Sequence, residues 1–556
     1  MPPLNSTFAF VLKFMFLVFG LADASICFAA PPVFTPQRGF FDHSINVAIR
    51  TDIAGAKILF TTNGFSATQV FGKPYVEPLS ISRSTIVRAA VYSDGRLVGE
   101  PETHSYIFMN DVLKQTGDTF PKQWGTNNGK AVIADYEMDP DVVFDPQYEN
   151  LIERGLKAIP TVSLVLQPED LFDDARGIYA NPEKSGAEWE RPASFEWIDS
   201  GHSGFQVNCG LRIQGGWNRR PDESPKHSFR IVFRKKYSHG KLREPIFGKQ
   251  GAAEVDTLIL RAGCNNTWLH WSGQERARGD YIRDQWMRET LRDLGQISPA
   301  GNFVHLYLNG LYWGLYNLTE RPDAAFAAAH FGGSPKDYDA MNADKSIEGD
   351  KDAWNVLMKT INAGVKGSRE FQAVEQMLDL DNFIDYMIAN FYGANSDWDR
   401  SSNWYAARRH NPPGKFRFFV WDGERTLEGI MDNSLDFDED ESPPRIFHRL
   451  AENDEFRHRF SEHVQHAFFH DGALTPERAR QRFRNWSDSL DLAIIAESAR
   501  WGDYRRDVHP YKEGPYELYT RNKHWKPEVD RLLNEYFPAR GPIVLEQFRS
   551  KGLLQE

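Results

Sequence analysis

The sequence predicts a multidomain chain: a small all-β sandwich, then a large α+β region with a strand-rich first half and a helical second half. Three observations carry this. Residues 32–108 alternate apolar and polar side chains in short runs broken by turn residues. Residues 159–320 repeat that period-two pattern in longer runs. After residue 352 the apolar spacing changes to three and four, as on helix faces. A length of 556 residues is enough for two to four domains at roughly 150 residues each. Apolar residues at 41% and charged residues at 26% exclude wholesale disorder. The net charge of −12 argues against non-specific nucleic-acid binding as the main task.

Residues 1–30 read as a secretory signal. Lys13 supplies the positive charge, residues 14–21 form a short apolar run, and Ala29 and Ala30 precede Pro31 and Pro32. The run is too short to span a bilayer, and no later stretch is apolar enough to do so. The expectation is an exported protein with no transmembrane segment after cleavage. Cleavage removes Cys27 and leaves Cys209 and Cys264. These either form one disulfide or remain two separate thiols, and both stay open. Without a histidine cluster they do not make a zinc site.

The elements follow in order. Residues 44–50, 57–62 and 85–92 alternate as sandwich strands do, with Asn63-Gly64 and Asp94-Gly95 as turns. Residues 109–158 mix Asn, Asp, Gly and Pro and read as a connector. Strands are expected at 159–167, 205–215, 226–233 and 256–263. Residues 277–295 have helical spacing with Gly295 as a stop. Residues 302–320 form a hairpin turning at Asn309-Gly310. Helices dominate from 352, interrupted by a strand–turn–strand at 403–423, and return over 445–556.

The residues that carry chemistry lie just inside the helical half. Residues 395–405, NSDWDRSSNWY, place Asp397, Asp399 and Asn403 directly after a helix. Two strands follow, and Asp422 stands at a strand end with Gly423 behind it, which allows close backbone approach. Phosphoryl transfer needs this layout: a carboxylate to orient the acceptor, further oxygens to hold a metal on the phosphates, and a cation for the nucleotide. Other clusters are less informative. His463, His466 and His470 have helical spacing but no H-E-x-x-H acid, so they read as an ordinary helix face. The acidic run 436–441 lacks the Gly and Glu of an EF-hand and reads as a solvated loop.

Two resemblances follow from motifs in order. Residues 32–108 resemble the immunoglobulin-like module at the C-terminus of bacterial chitobiases and hexosaminidases. The matching stretches are PQRGFFDHSINVAI, AKILFTTNGFSAT and YVEPLSISRSTIVRAAVYSDG. Residues 159–501 resemble the CotH kinase family of spore-coat-associated atypical kinases and their exported bacterial relatives. This rests on GLRIQGG, SPKHSFRIVFRKKY, YIRDQWMRETLRDLG, VHLYLNGLYWGLYNLTERPD, ANSDWDRSSNWY, FVWDGERT and AESARWGD.

The first resemblance implies an accessory module, open to glycan or cell-surface contact. The second implies a protein-kinase-like fold, with a β-rich lobe over 159–350 and a helical lobe over 351–556. It implies ATP and Mg²⁺ as cofactors and a protein acceptor. It carries over Lys226 as the phosphate-contacting lysine and Gln214, Gly215 and Gly216 as the phosphate-covering turn. Glu320 becomes a nucleotide contact or a structural pair, and Asn403 and Asp422 the metal ligands. Glu424 fills the place of a second acidic residue after Asp422. For the base, the usual Asp-to-Asn spacing is five; Asp397 stands six before Asn403 and Asp399 four, so both remain candidates. A non-catalytic scaffold is the alternative, favoured by the GGWNRR reading of the covering turn.

Overall fold

The computed structural model describes residues 31–199, 204–398 and 402–554. Residues 1–30, with the expected signal, and Asp399 lie outside the described residues. The first unit is a two-sheet β module. A five-stranded sheet faces a three-stranded one across a core that includes Phe34, Val47, Val87, Val91 and Tyr106.

The connector is more structured than its composition suggests. It holds a hairpin, Gln123–Asn127 with Lys130–Ile133, and three short helices. Two of these, Pro140–Val143 and Ile152–Gly155, pack on the Ala493–Trp501 helix. Met138, Val142, Ile152 and Leu156 share one apolar cluster with Ile495, Ala496 and Ala499.

Seven strands then close a barrel. Every expected strand is present: Thr161–Val165, Phe205–Gln214, Ser228–Val232, Thr257–Arg261 and the hairpin Gly301–Leu308 with Leu311–Glu320. At the hairpin turn both Asn309 and Gly310 have positive φ, as a two-residue turn on twisted strands requires. All five residues of Thr161–Val165 are buried because both faces are covered. Val162 and Leu164 point into the barrel core, while Ser163 meets Ser105 of the β module at 2.8 Å. The module docks on that outer wall through buried polar groups as well. Glu196 accepts from Ser105 N at 2.9 Å and Ser105 Oγ at 2.6 Å and pairs with Arg38 at 3.1 Å.

One expectation changes. Helix 277–295 starts later, at Arg283, because Asp280 bonds Ile282 N at 2.7 Å and Tyr281 takes a positive φ. That local acceptor competes with the helix for its first turn. The Tyr338–Asn342 and Lys345–Glu348 strands do not join the barrel. They pair onto Trp404–Arg409 and Arg417–Val420 in a separate four-stranded sheet. The helices after 352 bury a large shared core that includes Trp354, Phe383, Tyr392 and Phe537. No helix among the described residues is long and apolar enough to cross a membrane. Cys209 and Cys264 are free thiols, the former buried in the Phe205–Gln214 strand.

Candidate functional site

Helix Leu380–Gly393 delivers the polar loop. Asp379 caps its start by accepting from Asn382 N, and Ala394 ends it in the left-handed region. Asn395 then bonds Asn390 through its main-chain N (3.0 Å) and its side-chain amide (2.9 Å). Asp397 N donates to Asn395 Oδ1 at 3.1 Å, and Asn403 Nδ2 donates to the Asp397 carbonyl at 2.5 Å. The loop closes on itself around Asp397 and Asn403.

Asp422 stands just past the Arg417–Val420 strand. Its φ of 59° is one an Asp tolerates better than most residues. Two main-chain bonds bring its turn against the loop: Ser396 N to Arg425 O at 3.1 Å and Leu427 N to Gly393 O at 2.9 Å. Gly423 lets the turn press on helix Arg283–Asp293, since a Cβ there would lie 3.1 Å from Met287. Gly423 N donates to Asp284 Oδ1 at 3.0 Å. Asp397, Asn403 and Asp422 thus sit on two turns that touch.

The barrel rim supplies the facing wall. Strand register aligns Gln214 with Ser228, Phe229 with Leu260 and Arg261 with Asn317. Arg261 reaches from this rim to three carboxylates: Asp284 at 3.3 Å, Glu424 at 2.7 Å, and Asp422 through Oδ1. No partner among the described residues reaches Asp422 Oδ2. Glu424 also accepts from Cys264 N and Asn265 N, at 3.2 and 3.1 Å. Burial and the adjacent Asp422 charge push the Glu424 carboxyl up to about 8. Burial works against the Arg261 charge, but Asp284, Asp422 and Glu424 prevail and hold it firmly protonated. Arg261, Tyr281, Asp284, Tyr316 and Glu424 line a cavity of about 30 Å³, the share of one water.

Lys226 lies behind this cavity. Its ammonium donates to Glu497 at 2.6 Å and to Leu315 O at 2.7 Å, with side-chain exposures of 1% for Lys226 and 0% for Glu497. It rests over the rings of Tyr316 and Tyr281, which line the cavity. Burial lowers its pKa, against the pull of Glu497. The glycine turn rises from the same rim as Arg261. Gly215 has a φ of 121°, a backbone conformation that residues with a side chain rarely adopt. Trp217 on this turn is exposed, with the Arg220 guanidinium 3.8 Å over its ring.

Glu320 is elsewhere. It lies opposite Leu258, toward the other end of the strand that ends in Arg261. There it accepts from Ala252 N at 2.8 Å and Ala300 N at 2.9 Å, and His330 comes within 3.3 Å.

Three residues escaped sequence reasoning: Arg261, Asp284 and Glu497. Glu497 does carry a signal, a carboxylate inside the apolar helical stretch AIIAESARW that folding buries and that therefore needs a cation.

His463 clamps the helix that feeds the loop. Its ring lies 2.7 Å from Asp385 and 3.1 Å from Asp381, while His466 and His470 are exposed. Burial opposes its charge, but the bonds and charges of Asp385 and Asp381 outweigh it and raise its pKa. A raised folded pKa gives stability that is complete below the ordinary histidine value and is lost as pH rises through the folded value. Urea midpoints followed from about pH 5.5 to 8.5 should therefore lose about 1 kcal/mol of this contribution in the wild type. His463→Gln should remove that slope, and an unchanged slope would refute the clamp.

Residues 211–540 match the family model described as CotH kinase protein. No curated protein matches the chain.

Proposed function

The chain belongs to the CotH kinase protein family, and from that premise we propose that it is an exported atypical kinase transferring phosphate from Mg-ATP to a protein Ser or Thr. The observation that carries this reading is the contact of two turns, one bearing Asp397 and Asn403, the other Asp422. Asp397, or its neighbour Asp399, orients the acceptor hydroxyl and takes its proton. The hydroxyl oxygen attacks the γ-phosphorus, the bond to the β–γ bridging oxygen breaks, and ADP leaves. Asp422 and Asn403 would hold Mg²⁺, with Glu424 beside them. The donor set fits: all are hard oxygens, and Asp422 keeps an oxygen that no described residue claims. When bound, the ion neutralises phosphate charge. Lys226, held by Glu497, is the phosphate cation, and the Gln214, Gly215 and Gly216 turn covers the nucleotide. The β module contacts a glycan or a cell-surface neighbour.

A second reading, a non-catalytic scaffold, is favoured by two observations. Lys226 is fully enclosed, and the cavity beside it is water-sized, against the few hundred Å³ a nucleotide-sized ligand fills.

Radiolabelled ATP and Mg²⁺ separate the two. The wild type should label a protein acceptor, and losing the base should cut the rate by at least about a hundredfold. Asp397→Asn and Asp399→Asn, assayed side by side, identify which residue that is. Absence of both labelling and Mg-ATP binding in the folded wild type would leave the scaffold.

A further inference from the structure

Guanidiniums gather on the outer face of the barrel, and one of them lacks a counter-ion. Alternation puts Leu211, Phe229, Ile231, Leu258 and Leu260 in the barrel core, so Arg212, Arg230 and Ile259 turn outward. Register sets Arg230 directly between Arg212 and Ile259. Its diagonal neighbours on that face are Gln214, where the glycine turn begins, and Arg261, which reaches Asp422. Such neighbours stand about 7–8 Å apart. Ile259 shares an apolar cluster with Tyr405, Phe419 and Trp421. Arg230 therefore lies where the barrel meets the four-stranded sheet, on the side that leads to Asp422.

The other cations here are already neutralised. Arg212 donates to Glu190 at 2.8 Å, and Arg321 to Asp323 at 3.1 Å. Lys226 is paired with Glu497, and Arg261 with three carboxylates. The two carboxylates whose charge reaches Arg230, Asp323 and Glu348, are also occupied. Asp323 caps the Ala324–Phe331 helix as well as holding Arg321, and Glu348 accepts from Ala324 N at 2.7 Å.

Arg230 makes no side-chain hydrogen bond or ion pair among the described residues, and it is only partly exposed. Its Nε is enclosed and unbonded, and so is that of Arg321. A guanidinium drawn out of water near two like charges is costly unless an anion joins it. Burial, and then the charge of Arg321, lowers its pKa to about 10.

We propose that Arg230 is a phosphate-binding residue, holding the phosphate oxygens of an anionic ligand on the outer barrel face between the glycine turn and Arg261. A guanidinium offers a planar fork of donors that matches phosphate, and it keeps its charge when enclosed. That the phosphate belongs to a nucleotide rests on the kinase reading; the anion subsite itself does not.

Calorimetric titration of the full chain with Mg-ATP, and separately with sodium tripolyphosphate, tests this. The wild type should bind both. Arg230→Met keeps an apolar stem but drops the charge, and should weaken both at least about tenfold. Arg230→Lys should recover part of that loss. Urea unfolding without ligand separates binding from structure. Arg230→Met should unfold at the same or a higher urea concentration than the wild type, because a charge without a counter-ion has been removed. A lower midpoint would mark a structural arginine and overturn the phosphate site. Equal Mg-ATP affinity in the wild type and Arg230→Met would also overturn it, with the kinase reading left standing. Tripolyphosphate binding that Arg230→Met loses, in a wild type that does not bind Mg-ATP, would keep the anion subsite and remove the nucleotide. Binding of neither probe by the wild type would overturn both.

Discussion

Lys226→Met should destabilise the protein by about 3–5 kcal/mol, a large part of the roughly 5–15 kcal/mol that holds a typical domain. The substitution leaves the Glu497 carboxylate buried, with Leu315 N at 2.7 Å as a remaining donor. Breaking one half of an enclosed pair is the costly change; replacing both halves is much less so. The double variant Lys226→Met with Glu497→Met should therefore recover much of the loss in urea unfolding. A single-variant change under about 1 kcal/mol would mean that the lysine is solvated and the pair unimportant. The consequence for function is direct. Lost activity in a Lys226 variant would not by itself show a phosphate contact, because the fold fails first.

Asp422→Ala is the cleaner functional probe. Its side chain is 37% exposed, and Arg261 keeps Asp284 and Glu424 when it is removed. The stability cost should be within about 1 kcal/mol. Mg-ATP at a hundredfold excess over its dissociation constant should stabilise the wild type by about 2.7 kcal/mol, read as a rise in melting temperature. That rise should need magnesium and vanish in Asp422→Ala. A shift of equal size in both proteins would place the nucleotide elsewhere. No shift in either would remove Asp422 from any metal–nucleotide site.

Much of the candidate site was legible because its parts are close in sequence. Asp397, Asn403 and Asp422 fall within one helix exit and one hairpin, so their order alone implied that they converge. Arg261 and Glu497 were not legible for the opposite reason. Their partners lie 161 and 271 positions away, and nothing local reveals which buried charge meets which. The Tyr338–Glu348 segment shows the same limit for the fold. No strand was expected there, and the assembled sheet pairs its first strand with Trp404–Arg409 and not with the barrel.

The sequence by itself determined where most of the barrel strands and the later helices lie, because side-chain periodicity follows from backbone geometry, a local property. It also determined the family, through motifs kept in order. Only the tertiary structure decided which charges are buried together: Lys226 with Glu497, and Arg261 with three carboxylates. Burial is a property of the packed whole. A charge taken out of water must find its counter-ion there, wherever along the chain that counter-ion stands.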